Sequence, residues 1–165
     1  MPALQWPALL ILFCFSSVSA DEQCDPPAAS PLQPFEFLVG GTWELEGSYQ
    51  VFEWSLDKTL LKSRSWYLRD GEPVPSSEGF WYWHPSEQTI RGTFIARAMP
   101  VVVFDYTTCF RGSIMVNQLR GIAADGKVSD YREIWEFQGS DHYLWRLYQD
   151  GDKPILEGRF SRVME

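Results

Sequence analysis

The sequence predicts an all-β protein: a closed, antiparallel, up-and-down barrel of about ten strands, preceded by a short helical turn. Three observations carry this. Apolar residues recur at a period close to two along most of the chain beyond residue 42. Turn signals such as Asp70-Gly71, Asp125-Gly126 and Asp150-Gly151 divide it into short segments. No stretch carries the roughly 10–15 residues of helical periodicity that a parallel sheet with crossover helices requires. A meander this long exposes two edges unless it closes, and closure removes both. A β-sandwich is the alternative arrangement. A barrel of about ten strands is wide enough to leave a cavity, since eight-stranded ones already hold small ligands.

Residues 1–20 read as a signal peptide. An apolar run at 9–15 is followed by small side chains, and Val18 and Ala20 fit the pattern read by a signal peptidase cutting before Asp21. The run is well short of the ~20 apolar residues of a spanning helix. Export with cleavage near Ala20, to a secreted or periplasmic destination, is therefore expected, with no membrane span afterwards. Residues 1–8 lack the usual Lys or Arg. Cleavage removes Cys14 and leaves Cys24 and Cys109. These could form one disulfide, worth roughly 4 kcal/mol by loop-closure entropy, or stay as two thiols with Cys109 buried as a small apolar residue.

Residues 21–34 form a leader interrupted by Pro26, Pro27, Pro31 and Pro34. The barrel domain spans 35–165. Phe35, Phe37 and Leu38 offer apolar groups for one capping turn. Gly40 and Gly41 then let the chain reverse, because neither has a Cβ to clash at positive φ. Thr42 opens the first strand, and Trp43 is the first large side chain available to the core. Beyond it, Phe52, Trp54 and Leu56 alternate with Val51, Glu53 and Ser55. A strand at 60–68 stops at Asp70-Gly71, and 72–77, with two prolines and two serines, reads as a longer loop. Strands follow at 79–84, 89–96, 101–110, 113–120, 129–137, 142–149 and 155–163.

The chain has 165 residues, 45% hydrophobic and 16% aromatic, with a net charge of −8. That supports one folded domain with a sizeable core. The acidic balance opposes nucleic-acid binding and attraction to an anionic membrane. No metal-ligand spacing, Ser-His-Asp arrangement or Gly-rich phosphate loop is present.

The Gly41-Thr42-Trp43 triplet after a helical turn resembles the Gly-x-Trp signature of lipocalins and their calycin relatives. That resemblance implies a Trp packed across one barrel end under a basic residue of the last strand. Arg159 or Arg162 could supply it, and Arg159 is the residue expected to close the barrel with Gly41 and Trp43. Over residues 35–163 the chain is also similar to the family called domain of unknown function 1579, with its Phe-x-Phe-Leu-x-Gly-x-Trp start, a segment like 52–65, and a Gly-aromatic-x-x-x-x-Pro segment like 79–85. Those motifs imply a fold and no chemistry. The nitrobindins, ten-stranded haem-binding barrels, are more distant: Leu45 stands where they have a glycine, and no His follows His142. Haem, and any other cofactor, is not expected.

Arg146 and Tyr148 share one strand face and resemble the Arg-x-Tyr pair with which fatty-acid-binding proteins hold a carboxylate. If Trp145 and Leu147 point inward instead, the pair faces water. Trp54 and Trp81 are the other candidate ligand contacts. His84 and His142 read as solvated or capping imidazoles at strand ends. Glu53, Arg64, Arg91, Arg132 and Glu133 read as cross-strand ion pairs on the solvent face. An enzyme would instead need a carboxylate pair inside the lumen. The expectation is an exported, lipocalin-like barrel that binds a small hydrophobic or amphipathic ligand without catalysis. The alternatives are a barrel-type isomerase or cyclase acting on a hydrophobic substrate, and an interaction module with a filled core.

Overall fold

A computed structural model of the chain describes residues 24–25, 30–97 and 99–163. The expected signal peptide lies outside these residues. A 3-10 helix, Gln33–Leu38, precedes ten strands: β1 (Thr42–Leu45), β2 (Ser48–Ser55), β3 (Leu60–Arg69), β4 (Glu72–His84), β5 (Thr89–Ala96), β6 (Val101–Arg111), β7 (Ile114–Ala123), β8 (Val128–Phe137), β9 (His142–Tyr148) and β10 (Leu156–Val163). Each strand pairs antiparallel with its neighbours in sequence, and β1 pairs with β10 through Thr42–Val163 and Trp43–Arg162, which closes the barrel. The hairpin expected at Asp70-Gly71 has both residues at positive φ, 55° and 83°, as a tight two-residue turn between twisted strands requires.

One element departs from the expectation. Residues 72–77 are not a loop; they begin β4. Pro73 pairs across from Leu68 and Pro75 from Trp66, while pairing with β5 starts only at Ser77. The prolines therefore stand where β4 has a single neighbour, the place in a sheet where a missing N–H is tolerated. A register shift between Ser65 and Trp66 on the facing strand accommodates them.

The up-and-down path puts the 3-10 helix and the turns after β2, β4, β6 and β8 at one end, and the remaining turns at the other. The first end is plugged. Phe35, Leu38, Trp43, Phe52, Leu61 and Trp81 are buried there, with the Phe35 ring 5.3 Å from Trp81 and 4.9 Å from Phe110. Gly92 lies directly across from Trp81. A Cβ on Gly92 would stand 2.8 Å from the indole Cδ1, so glycine is what lets that ring lie flat against β5. The leader is fastened to the same end. Cys24 and Cys109 form a disulfide, the Asp25 N–H donates to the Phe110 carbonyl at 2.9 Å, and Gly112 N–H donates to the Asp25 carboxylate at 2.6 Å.

The residue that closes the barrel is Arg162 and not Arg159. Trp43 and Arg162 are cross-strand partners, so their side chains share a face, whereas Arg159 has the opposite parity and is exposed. The Arg162 guanidinium lies 4.4 Å from the centre of the Trp43 ring. It donates to the carbonyls of Phe37 and Gly40 and to Ser140 O at 3.2 Å, and it pairs with Asp141 at 3.7 Å. Gly41, at φ +77°, leaves room for the Arg162 stem: a Cβ there would meet its Cγ at 3.2 Å. Trp43 Nε1 donates to Leu38 O at 2.9 Å and ties the 3-10 helix to the ring it covers.

Candidate functional site

The end opposite the plug is not filled. A cavity of ≈ 220 Å³ enters the lumen there, its walls formed mainly by Phe94, Phe104, Tyr106, Trp135, Trp145 and Phe160. Alternation dictates this lining. Trp145 and Leu147 project inward from β9, and both line the cavity.

Glu133 also lines it, although the sequence placed this residue on the solvent face. It is only 5% exposed. Its parity is that of Trp135, and Trp135 packs inside against Tyr143 with ring centres 4.7 Å apart. Glu133 Oε1 accepts from Trp145 Nε1 at 2.5 Å. Oε2 accepts from Asn117 Nδ2 at 2.7 Å, and Asn117 Oδ1 accepts from Thr108 at 2.6 Å. A second chain runs from the Tyr143 hydroxyl to Gln50 Oε1 at 3.0 Å and from Gln50 Nε2 to Ser63 Oγ at 3.1 Å. Two polar threads thus cross an otherwise aromatic interior, as buried polar groups must find partners. Among the described residues, no Lys, Arg or His lines the cavity.

Burial raises the Glu133 pKa above the ordinary carboxylate value, and the N–H groups of Trp145, Asn117 and Trp135 pull the other way. The phenols of Tyr106 and Tyr143 are pushed well above their usual value, by burial first and then by the Glu133 charge. The folded carboxyl therefore holds its proton to higher pH than the unfolded one. Its contribution to stability is full below the unfolded value, near 4.5, and is lost as pH rises through the folded pKa. Thermal melts across that range are expected to show the wild type losing stability relative to Glu133→Gln as pH rises. Parallel curves would show that Glu133 is not buried as a carboxylate.

The other expected site residues do not meet at this cavity. Arg146 points outward and pairs with Glu136 at 3.2 Å and Glu157 at 3.9 Å. The Tyr148 ring is also on the outside, under Arg132 at 4.6 Å. A carboxylate clamp inside the barrel is thereby overturned, because the inward parity on β9 belongs to Trp145 and Leu147. Trp81 is part of the plug, 1% exposed, and Trp54 packs against the same core with Lys58 over its ring at 5.9 Å. Of the other strand charges, Arg64 pairs with Glu53 at 3.0 Å and Arg91 with Glu87 at 3.6 Å. His142 Nδ1 lies 3.1 Å from Ser161 Oγ, and His84 Nδ1 meets Ser86 and the Glu87 N–H at 3.3 Å each.

A larger concavity of ≈ 1010 Å³ lies outside the barrel, over the outer faces of β2 to β5. Val51, Trp66, Phe80 and Ile95 alternate there with Glu53, Lys62, Arg64 and Arg97. The lumen cavity is the better candidate despite its size, because an apolar enclosure and the buried Glu133 carboxyl converge there. Among the described residues no group of His, Cys, Asp and Glu is placed to hold a metal, and no helix is long and apolar enough to cross a membrane.

Fold and site together define a class: a ten-stranded up-and-down barrel, plugged at one end and hollow at the other, of a kind compatible with lipocalin-like ligand binding. Comparison with protein-family models and with curated protein sequences finds no match to this chain.

Proposed function

We propose that this is an exported barrel protein, related to the domain of unknown function 1579 group, that binds a small, largely apolar molecule in its lumen. The observation that carries the binding reading is the unfilled, aromatic-walled cavity of ≈ 220 Å³ at the end opposite the plug. An engineered cavity of about 150 Å³ takes benzene, so this one suits a ligand of about nine non-hydrogen atoms. The leader's disulfide fits an oxidising compartment, and the small-residue site near Ala20 fits export.

Calorimetric titration with indane, a neutral hydrocarbon of the size the cavity suits, tests the lumen. Ala96 lines the cavity, so Ala96→Phe is expected to weaken indane binding by about tenfold or more. Arg146→Ala, outside the wall, leaves it unchanged. Equal binding by wild type and Ala96→Phe would place the indane elsewhere and remove the lumen from consideration.

A second reading is favoured by one observation, the displaced pKa of Glu133 beside the cavity. A barrel enzyme could use that carboxyl to move a proton on a hydrophobic substrate. Among the described residues, the phenols of Tyr106 and Tyr143 are the acids facing Glu133, which leaves binding as the better-supported reading.

A further inference from the structure

The aromatic lining explains why a ligand would enter, but not why a carboxylate is kept in the wall. Burying an acid costs free energy unless something offsets it. Here the offset from the protein is partial. Each Glu133 oxygen accepts one hydrogen bond, from Trp145 and from Asn117, of the two that a carboxylate oxygen can take. Among the described residues, no basic side chain lines the cavity. The Trp135 indole N–H also bears on the carboxylate and lowers its pKa, so about one of its roughly four acceptor positions stays open. The rings around the carboxylate come from β5, β6, β8, β9 and β10, so the cavity presents π faces and one anionic group.

We propose that the lumen selects a small organic ammonium ion, with its cationic head against Glu133 and its apolar body among the rings of Phe94, Phe104, Tyr106, Trp135 and Trp145. The proposal rests on the lumen-binding reading and adds the class of ligand to it. An ammonium head supplies a donor the carboxylate can still accept and the positive charge the site lacks. Aromatic faces attract the same head through their quadrupoles, more strongly where water is excluded. A carboxylate ligand would instead meet like charge. The chain's net charge of −8 also raises the local concentration of cations at the mouth.

Three probes of nearly equal shape decide between heads: 2-phenylethylammonium, 2-phenylethanol and phenylacetate, each titrated by calorimetry on the whole chain near neutral pH. The ammonium is expected to bind at least about tenfold more tightly than the alcohol, with phenylacetate weakest. In Glu133→Gln the ammonium-to-alcohol ratio should shrink to within about twofold while the circular dichroism spectrum stays that of the wild type, which reports an intact fold. The wild-type ratio decides the matter even where that variant does not fold. Equal binding of ammonium and alcohol, or tightest binding of phenylacetate, overturns the ammonium assignment and leaves the lumen reading standing. So does a lumen that binds indane and admits none of the three. A protein that binds neither indane nor the three probes loses both readings together.

Discussion

Arg162→Ala is expected to lower stability by about 3 kcal/mol, roughly 10 °C in Tm, while Arg159→Ala changes it by less than about 0.5 kcal/mol. The two arginines stand on the same strand three residues apart, and only one matters to the plug. The Arg162 guanidinium covers the Trp43 ring at 4.4 Å and collects carbonyls from the 3-10 helix turn and the β8–β9 turn. Its loss removes a desolvated cation–π contact and several charge-assisted hydrogen bonds at once. It also unfastens the helix end that seats Phe35 and Leu38. Arg162→Lys keeps the charge but not the planar fork, and should recover less than half of the loss. Urea unfolding of the four proteins measures this. Equal effects at positions 159 and 162 would mean that closure does not depend on the covered indole.

Opening the disulfide is the second large effect. Cys24 and Cys109 are 85 residues apart, and closing a loop of that length is worth about 4.5 kcal/mol in the chain-entropy account. The bond also fixes the leader against β6, where Asp25 makes its two backbone contacts. The reduced wild type and the Cys24→Ser/Cys109→Ser variant should therefore unfold at the same, markedly lower denaturant concentration. If reduction leaves the midpoint where it was, the leader lies outside the cooperative unit and the bond only ties down a strap.

The barrel was legible because its signals are local. Alternation, aspartate-glycine turns and the lack of long helical periodicity are each read within a few residues, and closure follows from the cost of bare edges. Trp43 was legible for the same reason. The site was not. Glu133 shares the parity of Tyr131, Trp135 and Phe137, so the alternation itself carried the signal that it points inward. Against that phase stands its charge, because a lone carboxylate is rarely buried. Its partners, Asn117 and Trp145, come from the two flanking strands, and nothing in a single strand announces that such donors will converge. The Arg146–Tyr148 pair failed in the opposite way. Its chemistry suited a ligand clamp, but phase put it outside. The choice between Arg159 and Arg162 turned on register across β1 and β10, a long-range pairing that local sequence does not encode. Pro73 and Pro75 argued for a loop, and only the late start of pairing with β5 made room for them in a strand.

The pairing of Thr42 with Val163 brings the start of β1 and the finish of β10 to the same rim as the leader's anchor at Cys109. Anything fused or tethered at either extremity would leave from the stoppered side. Immobilised through such a handle, the molecule would stand like a cup on its base, its opening turned toward solvent.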